Sequence, residues 1–185
     1  LEQIDKILAK IESDPEPDSI KSVEKSLWLK IRAMCENGRR TGLGITALGD
    51  TLAALGIKYG SDESIEVTEK IYRALAVGAY TSSIILAKER GAFPIFDASL
   101  EKGHPFIERI LAELDPTTLG EYYVYGRRNI ALTTTAPTGS VSMMTQTTSG
   151  IEPAFMLKYS RRKKVNSSDL NVKVDYVDTM GDKWQ

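Results

Sequence analysis

The chain has 185 residues, with 24 Lys and Arg against 25 Asp and Glu, and only one Cys and one His. This length suits one domain or a piece of a larger one, and 42% hydrophobic with 26% charged residues is typical of a globular protein. A net charge of -1 argues against a nucleic-acid-binding protein, which normally carries excess positive charge. One Cys and one His exclude an internal disulfide and a Cys/His zinc cluster, so we expect no bound metal.

The sequence gives no signal for a membrane. No apolar run approaches the roughly 18 residues that span a bilayer, and the opening residues alternate charge and hydrophobe, unlike a secretory signal. We therefore expect a cytoplasmic protein. Its start at Leu1 and its polar end suggest that the sequence is a segment of a longer chain.

Hydrophobic residues at helical spacing predict two charged helices over residues 1–38. The first should end near Ser13, because Pro15 restricts the backbone that precedes it. The second should be capped by Asp18 or Ser19 and end at Gly38. Its predicted buried stripe is Ile20, Val23, Leu27, Ile31 and Met34.

Three more helices are predicted before residue 115. One should end at Gly56, with four residues on its apolar face: Ile45, Leu48, Leu52 and Leu55. Ser61 should cap a long helix that runs to Arg90. Pro105 should open a short helix that runs through Leu114.

A strand, a turn and a helix are predicted over residues 129–144. Residues 129–135 are rich in β-branched side chains, which favour a buried strand. A turn at 136–139 then leads into a helix that starts at Ser140. Residues 154–159 are a candidate second strand.

The segment 133–150 holds the strongest candidate site. Ten of its eighteen residues are Ser or Thr, but hydrophobic residues recur among them, which argues against a solvated linker. The first N–H groups of a helix lack partners and, with the hydroxyls of Thr138 and Ser140, can bind an anion such as phosphate. Gly139 would allow close approach. The alternative is that Thr138 or Ser140 merely caps the helix.

Three other features have a functional and a structural interpretation, and we favour the structural one. Glu152 is a possible general acid or base, but it can instead hold a turn by accepting backbone N–H groups. Cys35 would need a base to act as a nucleophile, so we expect a partly buried, inert thiol, and His104 should pack or cap. The basic run 161–164 could meet phosphates but is typical of a solvated patch.

Several of these segments together resemble the large catalytic chain of ribonucleotide reductase. The motifs are RRTGLGITALGD at 39–50, AKERGAFPIF at 87–96, RNIALTTTAPTGSVS at 128–142 and SGIEPAF at 149–155. The resemblance covers about residues 39–165 as part of the catalytic barrel. It leaves 1–38 as an insertion-like helical hairpin and 166–185 as a truncated tail.

The resemblance implies an α/β fold, of which this chain is a mostly helical fragment of a ten-stranded barrel. In that family a cysteine thiyl radical abstracts a ribose hydrogen, and a cysteine pair then supplies electrons. The family's phosphate loop matches Ala136, Pro137, Thr138, Gly139 and Ser140, with Glu152 in a structural turn. The form of this loop is most like the class II enzymes, which use adenosylcobalamin. The implied partners are a ribonucleoside di- or triphosphate, the rest of the catalytic chain and a thioredoxin-like reductant.

Other family features have no match in this sequence. Nothing resembles the loop of the radical cysteine, the redox cysteine partner or the cysteine-rich tail. We therefore expect no catalytic residue in this segment and no reductase activity from the chain alone. Two alternatives stay open: a class I chain that needs a metal-radical partner subunit, and a helical interaction module whose loop is only a capped turn.

Overall fold

The computed structural model describes residues 1–158, 160–166 and 171–185. These residues form eight α-helices and two short strands in two compact units, Leu1–Pro153 and Ala154–Gln185. The helices are α1 (Glu2–Ser13), α2 (Asp18–Gly38), α3 (Leu48–Ala54), α4 (Asp62–Arg90), α5 (Ala98–Glu101), α6 (Pro105–Leu111), α7 (Pro116–Tyr125) and α8 (Gly139–Thr145). The strands are β1 (Tyr176–Val177) and β2 (Lys183–Trp184).

The predicted helical hairpin at the start of the chain is confirmed. Helix α1 packs on α2, and Arg32 of α2 forms an ion pair with Asp5 of α1. The predicted cap is wrong, because Pro17 occupies the N-cap and makes no side-chain hydrogen bond. The predicted burial of the stripe on α2 is also wrong: Val23 is 70% exposed and Met34 is 55% exposed. Helix α1 covers the side of α2 that carries Arg32, and the stripe lies on another side.

Helix α4 is the central element of the first unit. Its predicted bounds are confirmed: the Ser61 hydroxyl accepts a hydrogen bond from Ser64 N at 3.2 Å, and Gly91 follows the last turn with a φ of 80°. Helices α6 and α7 pack against it. The core lies along these contacts and includes Tyr80 and Ile84 of α4.

Helix α7 was not predicted, and α6 ends at Leu111, before the predicted Leu114. Asp115 and Pro116 directly follow the predicted end at Leu114, and in the structure they begin the next helix. The Asp115 carboxylate accepts hydrogen bonds from Thr117 N and Thr118 N, each at 3.0 Å. Proline suits the first position of a helix because that position needs no N–H donor. The helix at Ile45 was also predicted too long, since α3 begins at Leu48.

The strand predicted at 129–135 appears only as one parallel bridge, between Leu43 and Thr133. Around it, Leu43 N donates to Leu132 O at 2.8 Å and Thr134 N donates to Leu43 O at 2.9 Å. A regular strand needs a continuous partner, and in the described part of the chain only the short segment around Leu43 pairs here. The ten-stranded barrel is therefore not visible in these residues.

The second unit is a small β structure. Strands β1 and β2 are antiparallel, with Tyr176 opposite Trp184, and the Asp178 carboxylate accepts a hydrogen bond from Trp184 Nε1 at 2.8 Å. Residues 154–158 form no strand, so that part of the second strand prediction is wrong, and residue 159 lies outside the described residues. The division into 1–38, 39–165 and 166–185 stays a prediction.

Candidate functional site

Helix α8 begins at Gly139, directly after Thr138 and one residue before the predicted start at Ser140. Thr138 occupies the N-cap in a left-handed conformation with a φ of 41°. Gly139 and Ser140 are exposed and form the first turn, whose N–H groups have no partners within the helix. The predicted loop therefore presents backbone donors at its surface.

The Thr138 hydroxyl holds this loop in place. It accepts a hydrogen bond from Gly150 N at 2.6 Å and lies 3.1 Å from the Thr46 hydroxyl. Since the Thr46 hydroxyl gives its proton to Thr148 O at 3.2 Å, the Thr138 hydroxyl must donate to Thr46. Thr138 makes no side-chain cap, so the interpretation of Thr138 as a simple capping residue is wrong. Its proton is also not available to an anion.

Two sequence motifs that lie about 100 residues apart meet at this site. Thr148 N donates to Asp50 Oδ2 at 2.8 Å, and Asp50 N donates to Thr148 Oγ1 at 3.3 Å. Leu48 N also donates to Gly150 O at 3.3 Å. Thr46, Asp50 and Thr148 were missed as site residues, although the first two lie in the motif at 39–50.

Glycines explain how these segments approach so closely. A Cβ on Gly44 would clash with the Thr134 carbonyl oxygen, and one on Gly49 would lie 3.0 Å from Glu152 O. Around Gly139, in contrast, a Cβ would meet no described atom within 4 Å apart from its chain neighbours and the backbone of its own helix. Gly139 thus borders open space, whereas Gly44 and Gly49 are packing positions.

The other predicted loop residues lie beside this contact. Ala136 is half-buried and its carbonyl oxygen lies next to Gly150, while Pro137 is exposed. Glu152 is exposed, and among the described residues no backbone N–H donates to its carboxylate. Its assignment as a structural turn residue stays a prediction.

Cys35 and His104 lie on different elements. Cys35 is exposed on α2 rather than partly buried, and His104 is the N-cap of α6 without a side-chain cap hydrogen bond. Within the described ranges, no group of three His, Cys, Asp or Glu side chains could hold a metal. The same ranges contain no helix long and apolar enough to cross a membrane, and the cytoplasmic location stays a prediction.

Comparison with known families decides the assignment. The ribonucleotide reductase barrel domain matches residues 18–182. The chain belongs to this family. The family prediction is thereby confirmed, and the match begins within α2 rather than at residue 39.

Individual relatives are reductases of much greater length. The chain is 37% identical over 124 residues to the vitamin B12-dependent ribonucleoside-diphosphate reductase of Mycobacterium tuberculosis, which is 66% of this chain and 15% of that protein. It is 31% identical over 134 residues to the enzyme of the same name from Thermoplasma acidophilum, covering 71% and 15%. It is 32% identical over 128 residues to the ribonucleoside-diphosphate reductase subunit alpha of Treponema pallidum, covering 68% and 15%. The chain thus spans about 15% of the length of these relatives.

Proposed function

We propose that this chain is the substrate-phosphate segment of a longer ribonucleotide reductase, which reduces ribonucleotides to 2′-deoxyribonucleotides by a thiyl-radical mechanism. The family match over residues 18–182 carries this proposal. The names of the relatives support a ribonucleoside diphosphate as substrate. The radical thiol belongs to the remainder of the catalytic chain, and a thioredoxin-like reductant is a separate partner of the longer protein.

The proposed phosphate loop is Ala136 to Ser140. Its donors are the first N–H groups of α8 and the exposed Ser140 hydroxyl, because the Thr138 proton is already committed to Thr46. The open space at Gly139 supports a ligand that approaches the main chain closely. Thr138 then acts as the residue that fixes the loop.

We propose an adenosylcobalamin-dependent parent, since two of the relatives are named as vitamin B12-dependent. The residues described here do not match the family's radical site, because Cys35, the one cysteine in the sequence, lies in α2 and not in a loop like that of the radical cysteine. The chain alone should therefore be inactive as a reductase. A class I parent is the alternative, which the name of the Treponema relative favours. Reductase activity of the longer protein without cobalamin would decide for class I.

Replacing Gly139 with Leu in the longer protein tests the phosphate loop. The open space should accept the side chain without loss of thermal stability, but the side chain should block the phosphate and raise KM for a ribonucleoside diphosphate at least about tenfold. Gly120→Leu is the matched control, because Gly120 is another helical glycine with open space around it. An unchanged KM in Gly139→Leu, or the same increase in Gly120→Leu, would contradict the assignment.

Hydrogen exchange gives a second, independent test. A bound nucleoside diphosphate should protect the N–H groups of residues 139–141 in the longer protein. Unchanged exchange there at saturating nucleotide would favour the interaction module, in which the loop is only a turn.

A further inference from the structure

A groove lined by positively charged side chains lies at the end of α2. It has a volume of about 330 Å³ and is lined by Lys30, Ile31, Met34, Cys35, Arg39 and Arg40. Three of these side chains are cations, and no carboxylate of the described residues lines the groove. Ile31 and Met34 contribute apolar side chains to the same lining.

The main chain of Arg39 is held firmly at this groove. Its φ of 44° places it in the left-handed conformation at the end of α2, and its N–H donates to Cys35 O at 2.9 Å. Its carbonyl oxygen accepts a hydrogen bond from Asn129 Nδ2 at 2.8 Å. Asn129 is itself buried and bonded to Ser83 at 2.9 Å. These hydrogen bonds fix the backbone from which the Arg39 side chain extends.

One donor of Arg39 has no partner. Its Nε is buried and makes no hydrogen bond to any described residue. A buried donor left without an acceptor is costly. Because Nε has almost no accessible surface, an anion in the groove would be bound by the outer nitrogens of the Arg39 guanidinium and not by Nε.

Among the described residues, no carboxylate forms an ion pair with Lys30, Arg39 or Arg40. Glu36, the acidic residue of α2 closest in sequence, accepts a hydrogen bond from Arg32 Nε at 3.0 Å instead. The positive charge of Arg39 also acts on Arg128. The pKa of Arg128 is lowered mainly by burial, and the positive charges of Arg39 and Arg90 lower it further. The surroundings of Arg39 are thus cationic.

We propose that this groove binds a small phosphate ester, with its phosphate between Arg39, Arg40 and Lys30 and its apolar body on Ile31 and Met34. Arginine and lysine are the usual donors to phosphate, and charge-assisted hydrogen bonds are the strongest of their kind. This site is separate from the loop at Ala136 to Ser140 and does not depend on it.

Cys35 provides a direct readout, because it lines the groove and is exposed. We would measure how fast iodoacetamide alkylates Cys35 in the longer protein, by mass spectrometry of its peptide, with phenyl phosphate, phenol or inorganic phosphate present. Phenyl phosphate should slow the reaction, inorganic phosphate should do so only at higher concentration, and phenol should not. Equal slowing by phenol, or no slowing by phenyl phosphate, would overturn the proposal.

Charge-removing variants complete the test. Arg39→Gln and Arg40→Gln should each raise the phenyl phosphate concentration for half protection about tenfold, whereas Arg39→Lys should raise it less. Lys10→Gln, which removes an exposed cation of α1, is the control and should leave this concentration unchanged.

Should Arg39→Gln fail to fold, Arg40→Gln and Lys30→Gln at exposed positions give the same comparison. Gly139→Leu should keep the protection, which separates this site from the phosphate loop. Equal protection in all charge variants would refute the proposal.

Discussion

Arg127 and Glu101 form a buried ion pair that should be the most sensitive point of the first unit. Their side chains are 5% and 10% exposed, and Arg127 Nε donates to Glu101 Oε1 at 2.9 Å. Tyr122 donates to the other carboxylate oxygen at 2.7 Å, and the guanidinium lies over the rings of Tyr80 and Phe93. The buried charges of the carboxylate and the guanidinium therefore neutralise each other in the core.

The same arginine also holds the main chain that leads to the candidate site. Arg127 donates through Nη1 to Ile130 O at 3.0 Å and also to Asn129 O. Arg127→Met would keep much of the side-chain volume but leave the Glu101 charge buried without a partner. It would also leave two main-chain acceptors without this donor.

Removing one partner of a buried ion pair typically costs about 3–5 kcal/mol. For a chain of this length each kcal/mol lowers the thermal midpoint by about 2–4 °C, so we expect a decrease of about 10 °C. Urea and thermal unfolding would measure it. Arg127→Met with Glu101→Gln should be less destabilised than Arg127→Met alone, because the unpaired charge is gone.

The control, Lys88→Met, breaks an exposed ion pair with Glu121 and should have little effect. The reasoning fails if Arg127→Met is as mild as Lys88→Met, or if the double variant is no more stable than the single one.

Two further predictions concern the main chain at Gly44 and the cap of α7. Gly44→Ala should cost about 1–3 kcal/mol in urea unfolding, because the new Cβ clashes with the Thr134 carbonyl oxygen, whereas Gly78→Ala in open space should cost nothing. The pKa of Asp115 is lowered, first by the hydrogen bond from the Thr118 side chain. Its stabilisation is therefore complete above the ordinary aspartate pKa near 4 and is lost as the pH falls through the lowered value. Thermal midpoints at different pH values should show this loss in the wild type, and less of it in Asp115→Asn.

Helices with strong local signals could be predicted from the sequence. Helix α4 has a capping serine, acidic residues in its first turn and a glycine after its last turn, all within one stretch of chain. Helix α7 was missed because Asp115 and Pro116 can end one helix or begin the next. The sequence does not say which. The exposure of the stripe on α2 could not be predicted either, since periodicity identifies an apolar face and not what covers it.

The start of α8 was predicted to within one residue, but the hydrogen bonds that hold the candidate loop were not predicted. The start of α8 follows from a local pattern, and the resemblance indicated the same residues. The proton of the Thr138 hydroxyl, however, is taken by Thr46, which lies 92 positions away in the sequence. A hydroxyl at a helix start looks equally suited to a cap, a ligand or a distant side chain. Only the fold distinguishes these roles.

The α/β part of the predicted fold depends on a single feature, the parallel pairing of Leu43 with Thr133. Parallel neighbours cannot be joined by a tight turn, and here the connection contains α3, α4, α5, α6 and α7. A parallel pair with helices between its members is the basic unit of α/β proteins. One such unit needs further strands beside it before a regular sheet can form, which explains why β-branched residues at 129–135 form one bridge instead of the predicted strand. The pairing also places Gly44 next to Thr134. The two family motifs therefore meet at a position where the neighbouring backbone leaves no room for a Cβ.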